Sequence, residues 1–251
     1  MTSPASTSLD QATQHLRELV LSGAFAPDRK LGEEAVARAL KLSRTPARIA
    51  MATLEREGLL VRTPRRGYRV RSFTLDEVAD AIDVRGELEG MAARLLAERG
   101  LDDATATRLE AALAWSEAII ERGEIDIADR VAWTQSNLDF HSALIEGCGN
   151  TALKAAFEQV IRIPLASPRA IIFAVATTDR SRGQLRRAHE DHVRVVEAIR
   201  ARRGSRAAEI MRDHALRSSD NKRRNFHSIG GEALLVGQSG TALVRDKTLA
   251  A

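Results

Sequence analysis

A single cysteine, Cys148, allows neither an internal disulfide nor a thiolate zinc knuckle, so secreted disulfide scaffolds and zinc fingers are excluded. Glycine and proline are few, 16 and 6 in 251 residues, and aromatics make up only 4%, a balance that favours helices and excludes an all-β sandwich. No apolar run reaches the roughly 18 residues of a membrane span, and the start, MTSPASTSLD, lacks the basic then apolar order of a signal peptide. The expectation is a mainly α, cytoplasmic protein with no membrane partner and enough apolar residues, 44%, for one large or two small cores.

The formal net charge of +4 indicates only a mild preference for polyanions, but its distribution is uneven. Arg44, Arg48, Arg56, Arg62, Arg65, Arg66, Arg69 and Arg71 face only Glu55 and Glu57 in one short stretch. A solvated basic face and a nucleic-acid contact would both look like this, and the local pattern has to separate them. Leu9, Ala12, Leu16, Leu19 and Val20 recur at helical spacing up to Gly23, and a short helix follows over about 33 to 40. Thr45 as cap and Pro46 at the first helical position then predict a third helix that stops at Gly58, with Ala47, Ala50, Met51 and Leu54 inward and Arg44, Arg48 and Ala52 outward. Strands at about 59–62 and 67–71 form a hairpin with a basic tip. Three helices and a basic hairpin make a winged helix-turn-helix.

The motif SRTPxR at Ser43 to Arg48, LExEGL at Leu54 to Leu59, and RGxxV at Arg66 to Val70, in that order, resembles the DNA-binding domain of the GntR family of bacterial transcription regulators. Two positions depart from the family pattern: Lys41 stands where glycine is usual and Ile49 where glutamate is common. The resemblance implies that Ser43, Arg44, Thr45 and Arg48 contact double-stranded operator DNA, with Arg65, Arg66 and Gly67 in the wing. Arginine forks suit guanine edges and phosphates, and a glycine lets backbone approach the duplex. Arg56, Arg62, Arg69 and Arg71 are read instead as solubilising charge.

After the wing, Thr74 to Glu77 reads as a capping box, and the pattern predicts an antiparallel all-helical bundle of six to seven helices. The first runs to about Gly100, and the others cover about 102–122, 126–147, 150–162, 165–177, 180–203 and 205–226. The expected division is therefore 1–73 for the winged domain, 74–227 for the bundle, and 228–251 for a loosely ordered, glycine-rich tail. One helix face carries Ile127, Val131, Thr134, Leu138, His141 and Ile145, with Asn137 one turn before His141. His192 and His214 each sit on the apolar stripe of another helix. A lone inward histidine is usually a hydrogen-bonded core residue, but three unpaired imidazoles buried together are costly, and one shared metal would satisfy all of them.

The segments VRGELEGMAARLLAE, NLDFHSALIEGCGN and EDHVRVVEAIRARRGSRAAEIMRDH resemble the FCD effector-binding domain of the FadR-like branch of the same family. The resemblance implies a divalent metal, zinc or nickel, on His141, His192 and His214. The family's acidic ligand is Asn137 here, and Asp139 cannot replace it because residues two apart on a helix diverge by about 200°. A neutral set holds metal weakly. Two readings stay open: a metal held by Asn137 and the histidines, or a metal-free pocket in which the same groups hold an acidic effector directly. Arg85, in the motif's VRxxLE, is either an ion pair with Glu89 one turn on or a fork for an effector carboxylate. His189 lacks motif support and is read as structural, and Cys148 as a packed thiol at a helix end.

The functional expectation is a homodimeric, non-enzymatic transcriptional regulator whose operator affinity a small organic acid controls. The alternatives are a metal-dependent enzyme fused to a DNA-binding domain and a ligand-independent DNA-binding protein. The first is disfavoured because no HExxH helix, nucleophile elbow or phosphate loop accompanies the histidines.

Overall fold

The structure, a computed structural model, describes residues 4–64, 67–122, 125–174, 178–229, 233–236 and 240–245. Its chain forms two compact units. The N-terminal unit contains α1 (Pro4–Leu21), β1 (Lys30–Leu31), α2 (Glu33–Leu40), α3 (Arg44–Arg56), β2 (Leu60–Thr63), β3 (Gly67–Val70) and β4 (Phe73–Thr74). Leu16, Val20, Val36, Ala47, Ala50, Met51 and Leu54 are all buried, so the helical spacing read from the sequence places one core beneath α3. The wing is a three-stranded antiparallel sheet of order β1-β3-β2, in register through Leu31↔Tyr68 and Val61↔Arg69. At two residues, β1 is too short to show a period.

The start of α3 corrects one expectation. Ser43, extended at φ −70° and ψ 167°, is the residue before the first turn, so Thr45 and Pro46 lie inside the helix rather than at its cap. Pro46 is tolerated there because first-turn N–H groups have no intrahelical acceptor. Lys41 ends α2 in the left-handed region at φ 55°. That explains glycine as the usual residue at this place, since a side chain there carries strain.

Six helices make up most of the C-terminal unit: α4 (Leu75–Arg99), α5 (Asp103–Glu121), α6 (Ile127–Gly147), α7 (Thr151–Val160), α8 (Thr178–Arg200) and α9 (Gly204–Asn225). Their starts are locally encoded. Thr74 and Glu77 cap α4 reciprocally, at 3.1 and 2.7 Å, Asp102 accepts from Thr105 N at 2.8 Å, and Asp126 with Asp129 forms a second capping box. The principal core joins Leu96, Leu109, Phe140, Leu144, Phe157, Val195 and Met211. Cys148 is buried at the end of α6, as expected, with Sγ 3.2 Å from Ile145 O. No described helix is long and apolar enough to cross a membrane.

Between α7 and α8 the sequence predicts a helix over 165–177; the described residues 165–174 form none, and 175–177 lie outside the described residues. Turns lead instead to β5 (Ile171–Ala174), which pairs antiparallel with β6 (Ala233–Val236). Pro168 interrupts the hydrogen-bond ladder a helix would need, and Ile171, Ile172 and Phe173 are strand-favouring residues. The described part of the tail is correspondingly more regular than expected: besides β6, β7 (Val244–Arg245) runs parallel to β4, pairing Val244 with Phe73. By contacts, Arg162–Leu165 and the described residues 240–245 belong with the N-terminal unit, and the boundary on α4 follows Glu77. The division in space is thus not the simple sequential one.

Candidate functional site

The C-terminal site begins with two glycines on α4. A Cβ on Gly86 would stand 2.5 Å from Ala215 Cβ, and one on Gly90 3.0 Å from Ala208 O, so only glycine lets α4 and α9 approach this closely. This contact sets Arg85 and Glu89 of α4 against His214 of α9, with His141 from α6 and His192 from α8 completing the cluster. Arg85 is 1% exposed and Glu89 and His141 are fully buried. Ring centroids of the three histidines lie 5.2 Å (His141–His192), 5.5 Å (His141–His214) and 4.7 Å (His192–His214) apart, and Phe140 stacks on His192 at 3.9 Å. One nitrogen from each imidazole lies within 4.8 Å of the others.

Buried polar atoms without partners are concentrated here. Both Glu89 oxygens, both His141 nitrogens, His192 Nε2 and Arg85 Nε lack a hydrogen bond. Glu89 Oε1 is 2.8 Å from His141 Nδ1 and 3.4 Å from Arg85 Nε, close enough for charge but out of line with the N–H bonds. Burial pushes the Glu89 carboxyl up, yet the His141 imidazole and Arg85 guanidinium outweigh it and leave the acid below its ordinary range. Burial lowers His141 despite the Glu89 charge, and drives His192 well down with help from the neighbouring imidazoles. His141 and His192 are therefore neutral at pH 7, which disfavours an anion held by their protonated rings.

Neutral imidazoles are the ligating form. A carboxylate stands on the Nδ1 side of two of the rings, Glu89 at ion-pair distance from His141 and Asp191 Oδ2 3.4 Å from His214, which leaves Nε2 of each ring as the ligating atom. The three imidazoles thus fit a divalent metal by donor type, spacing and unmet hydrogen bonding. Asn137 donates Nδ2 to Pro168 O at 2.8 Å. Arg85 donates Nη1 to Ala166 O at 2.7 Å. Both expected effector contacts therefore hold carbonyls of the same turn.

A cavity of about 100 Å³ opens beside the cluster, and its wall includes Arg85, Asn137, Asp191, His214, Arg217 and Lys222. His189 is elsewhere, 2.8 Å from Ser116 Oγ, consistent with a structural role. The expected stripe on α6 is corrected at its start: Ile127 is 68% and Val131 52% exposed, while Arg130, Trp133 and Asn137 are buried. The capping box and the stacking of Arg130 over Phe173, 5.6 Å away, turn that end of the helix. Three residues escaped the sequence reading: Glu89 as a partner of His141, Asp191 as a partner of His214, and Lys222 in the wall. Asp191 adjoins His192, but no local period connects it to His214.

On the N-terminal unit, Ser43, Arg44, Thr45 and Arg48 are all exposed on the outer side of α3. Arg48 borders an open groove shared by α3 and the wing, with Thr63, Gly67 and Tyr68 on the far side. Arg65 and Arg66 lie outside the described residues. Three of the four arginines assigned to solubility are ion-paired, Arg62 with Glu55 at 3.2 Å, Arg69 with Asp28 at 2.5 Å and Arg71 with Glu77 at 2.7 Å, while Arg56 donates to Thr53 Oγ1 at 3.3 Å. Arg48 has no ion pair among the described residues, which leaves its fork available for a base or phosphate.

Residues 80–217 match the FCD domain, and residues 9–70 match the bacterial regulatory proteins of the gntR family. The chain is 30% identical over 212 residues to the HTH-type transcriptional repressor GlaR of Escherichia coli K12, covering 84% of this chain and 93% of that one. It is 27% identical over 218 residues to the HTH-type transcriptional regulator LutR of Bacillus subtilis, covering 80% and 95%. Among solved structures it shares the fold of E. coli McbR/YncC, with a TM-score of 0.60 at 19% identity over 90% of this chain and 100% of that one.

Proposed function

The chain belongs to the gntR family of bacterial regulatory proteins, in the group that carries an FCD domain, and from that premise we propose that a small organic acid controls its affinity for operator DNA. The chain is a transcriptional regulator with a DNA-binding winged domain and an effector-binding helical domain. In this reading a homodimer places two copies of α3 on a two-fold operator, because one winged domain spans too few base pairs for useful specificity. Ser43, Arg44, Thr45 and Arg48 contact bases and phosphates, and Arg65, Arg66 and Gly67 bring the wing to the backbone.

The observation that carries the effector reading is the cavity beside a buried polar cluster in which several atoms lack a hydrogen bond. Such groups are costly unless something completes them. His141, His192 and His214, with the Asn137 amide oxygen, would hold zinc or nickel, which supplies a Lewis-acidic seat for a carboxylate when bound. Arg85 grips the acid in a fork. To do so it releases Ala166 O, and Asn137 likewise gives up Pro168 O if it turns to the ligand, so an incoming acid competes with the 166–168 turn for the same donors. That competition converts occupancy into a change of backbone, the differential contact a ligand needs to shift a two-state equilibrium.

The test is fluorescence anisotropy on duplex DNA selected from a random pool, with and without a panel of small carboxylic acids. At least one acid changes operator affinity about tenfold or more, and Arg85→Met removes the response while DNA binding persists. A panel without effect on DNA, with no heat of binding in calorimetry, would contradict it. Dialysis against EDTA separates the two versions of the pocket: loss of the response supports a metal seat, and its survival supports direct capture.

A further inference from the structure

The FCD match ends at residue 217, but α9 continues to Asn225 and carries Lys222 into the cavity wall. Lys222 is 3% exposed. Among the described residues its Nζ donates to one partner, Ser218 Oγ at 3.2 Å, and no carboxylate lies within ion-pair distance. A buried lysine is ordinarily paired with an acid. The one carboxylate in the described wall, Asp191, is already engaged by Arg217 at 2.5 Å and by His214. Glu89, beneath the wall, is close to His141 and Arg85. Burial, with the Arg85 guanidinium of α4, brings the amine down to about 7, against the more distant Glu89 carboxylate, which favours its charge. Among the described residues Lys222 is thus a buried amine with no carboxylate in ion-pair contact.

We propose that Lys222 is a second anion contact of the cavity and that the ligand is a short dicarboxylate, one carboxylate on Arg85 and the other on Lys222. This rests on the cavity being the effector site. The chemistry is ionic: an anionic group on Lys222 replaces the missing counter-charge and compensates two like cations that otherwise repel. The volume limits length, because about 100 Å³ is smaller than the roughly 150 Å³ cavity that accepts benzene.

The experiment is calorimetry on the full chain with two pairs of probes of equal length, malonate against propionate and succinate against butyrate. In the wild type a dicarboxylate binds at least about tenfold tighter than its partner. Lys222→Met, which keeps length and apolar packing, narrows that ratio to within about threefold without weakening the monocarboxylate, and Lys222→Arg keeps much of it. Melting curves confirm that both variants are folded. A ratio unchanged in Lys222→Met overturns the assignment, as does a wild type that binds the monocarboxylates equally well. If none of the four acids binds the wild type, the dicarboxylate assignment falls, while the wider acid panel on operator DNA decides separately whether the cavity is the effector site.

Discussion

Ser43, Arg44, Thr45 and Arg48 stand in water on α3, whereas Arg85, Glu89, His141 and His192 lie almost wholly out of it in the helical bundle. Both groups are rich in charge and hydrogen-bonding capacity, but solvent decides what each requires. An exposed guanidinium is satisfied by water until DNA replaces that water, so the reading face needs no internal partners and is free to meet a polyanion. A buried group has no such reserve. It must find a partner in the chain, change its protonation, or await a ligand, and the C-terminal cluster shows each response. Asp191 finds Arg217, His192 stays neutral, and Lys222 has no carboxylate in ion-pair contact among the described residues.

This contrast predicts unequal responses to substitution. Glu89→Leu, which leaves Arg85 buried without its counter-charge, should cost about 3–5 kcal/mol, and adding Arg85→Met should recover much of the loss. Chemical denaturation of the two single variants and the double variant checks this, and additive losses would remove the pairing. Arg48→Ala should weaken operator binding by about 1–3 kcal/mol and relax preference at one base pair per half-site, with the melting temperature unchanged. Affinities on a set of single-base operator variants are the check.

Lys222→Met should raise the melting temperature at pH 7. The folded amine, lowered from 10.5 to about 7, binds fewer protons than the unfolded one between those values, so wild-type stability rises with pH across that window. The advantage of the variant is therefore full below pH 7 and lost above about 10.5. Melting curves at pH 6.5, 8 and 9.5 measure it, and a gain independent of pH would point to packing alone. The smallest effect belongs to Arg62→Ala, whose ion pair with Glu55 is solvated. It should leave both melting temperature and operator specificity in place.

Legibility in the sequence follows the same division. The N-terminal fold could be read because its information is local: Val36, Ala47, Met51 and Leu54 recur at helical spacing, and the ordered motifs from Ser43 to Val70 identify the reading face. The histidines could also be read, since each falls on the apolar stripe of its own helix. Their partners could not. Glu89 reads as an ordinary pairing with Arg85, and Lys222 is not singled out, because their environments depend on how closely α4 and α9 approach at Gly86 and Gly90. The segment 165–177 was misread as helix because β5 has its strand partner in β6, some sixty residues later and in a segment expected to be loose. Ile127 and Val131 fit a helical period but face solvent, where a capping box and buried Arg130 set the helix rotation.

The central claim is that occupancy of the buried cluster controls the exposed reading face. The most direct measurement is the operator affinity of the wild-type chain and of Arg85→Met as a calorimetrically active acid is titrated to saturation. The account predicts that the wild-type affinity shifts about tenfold or more, at acid concentrations matching the calorimetric binding curve, while Arg85→Met holds its acid-free affinity throughout. A wild type that binds the acid in the bundle yet keeps the same operator affinity from zero to saturation would contradict it.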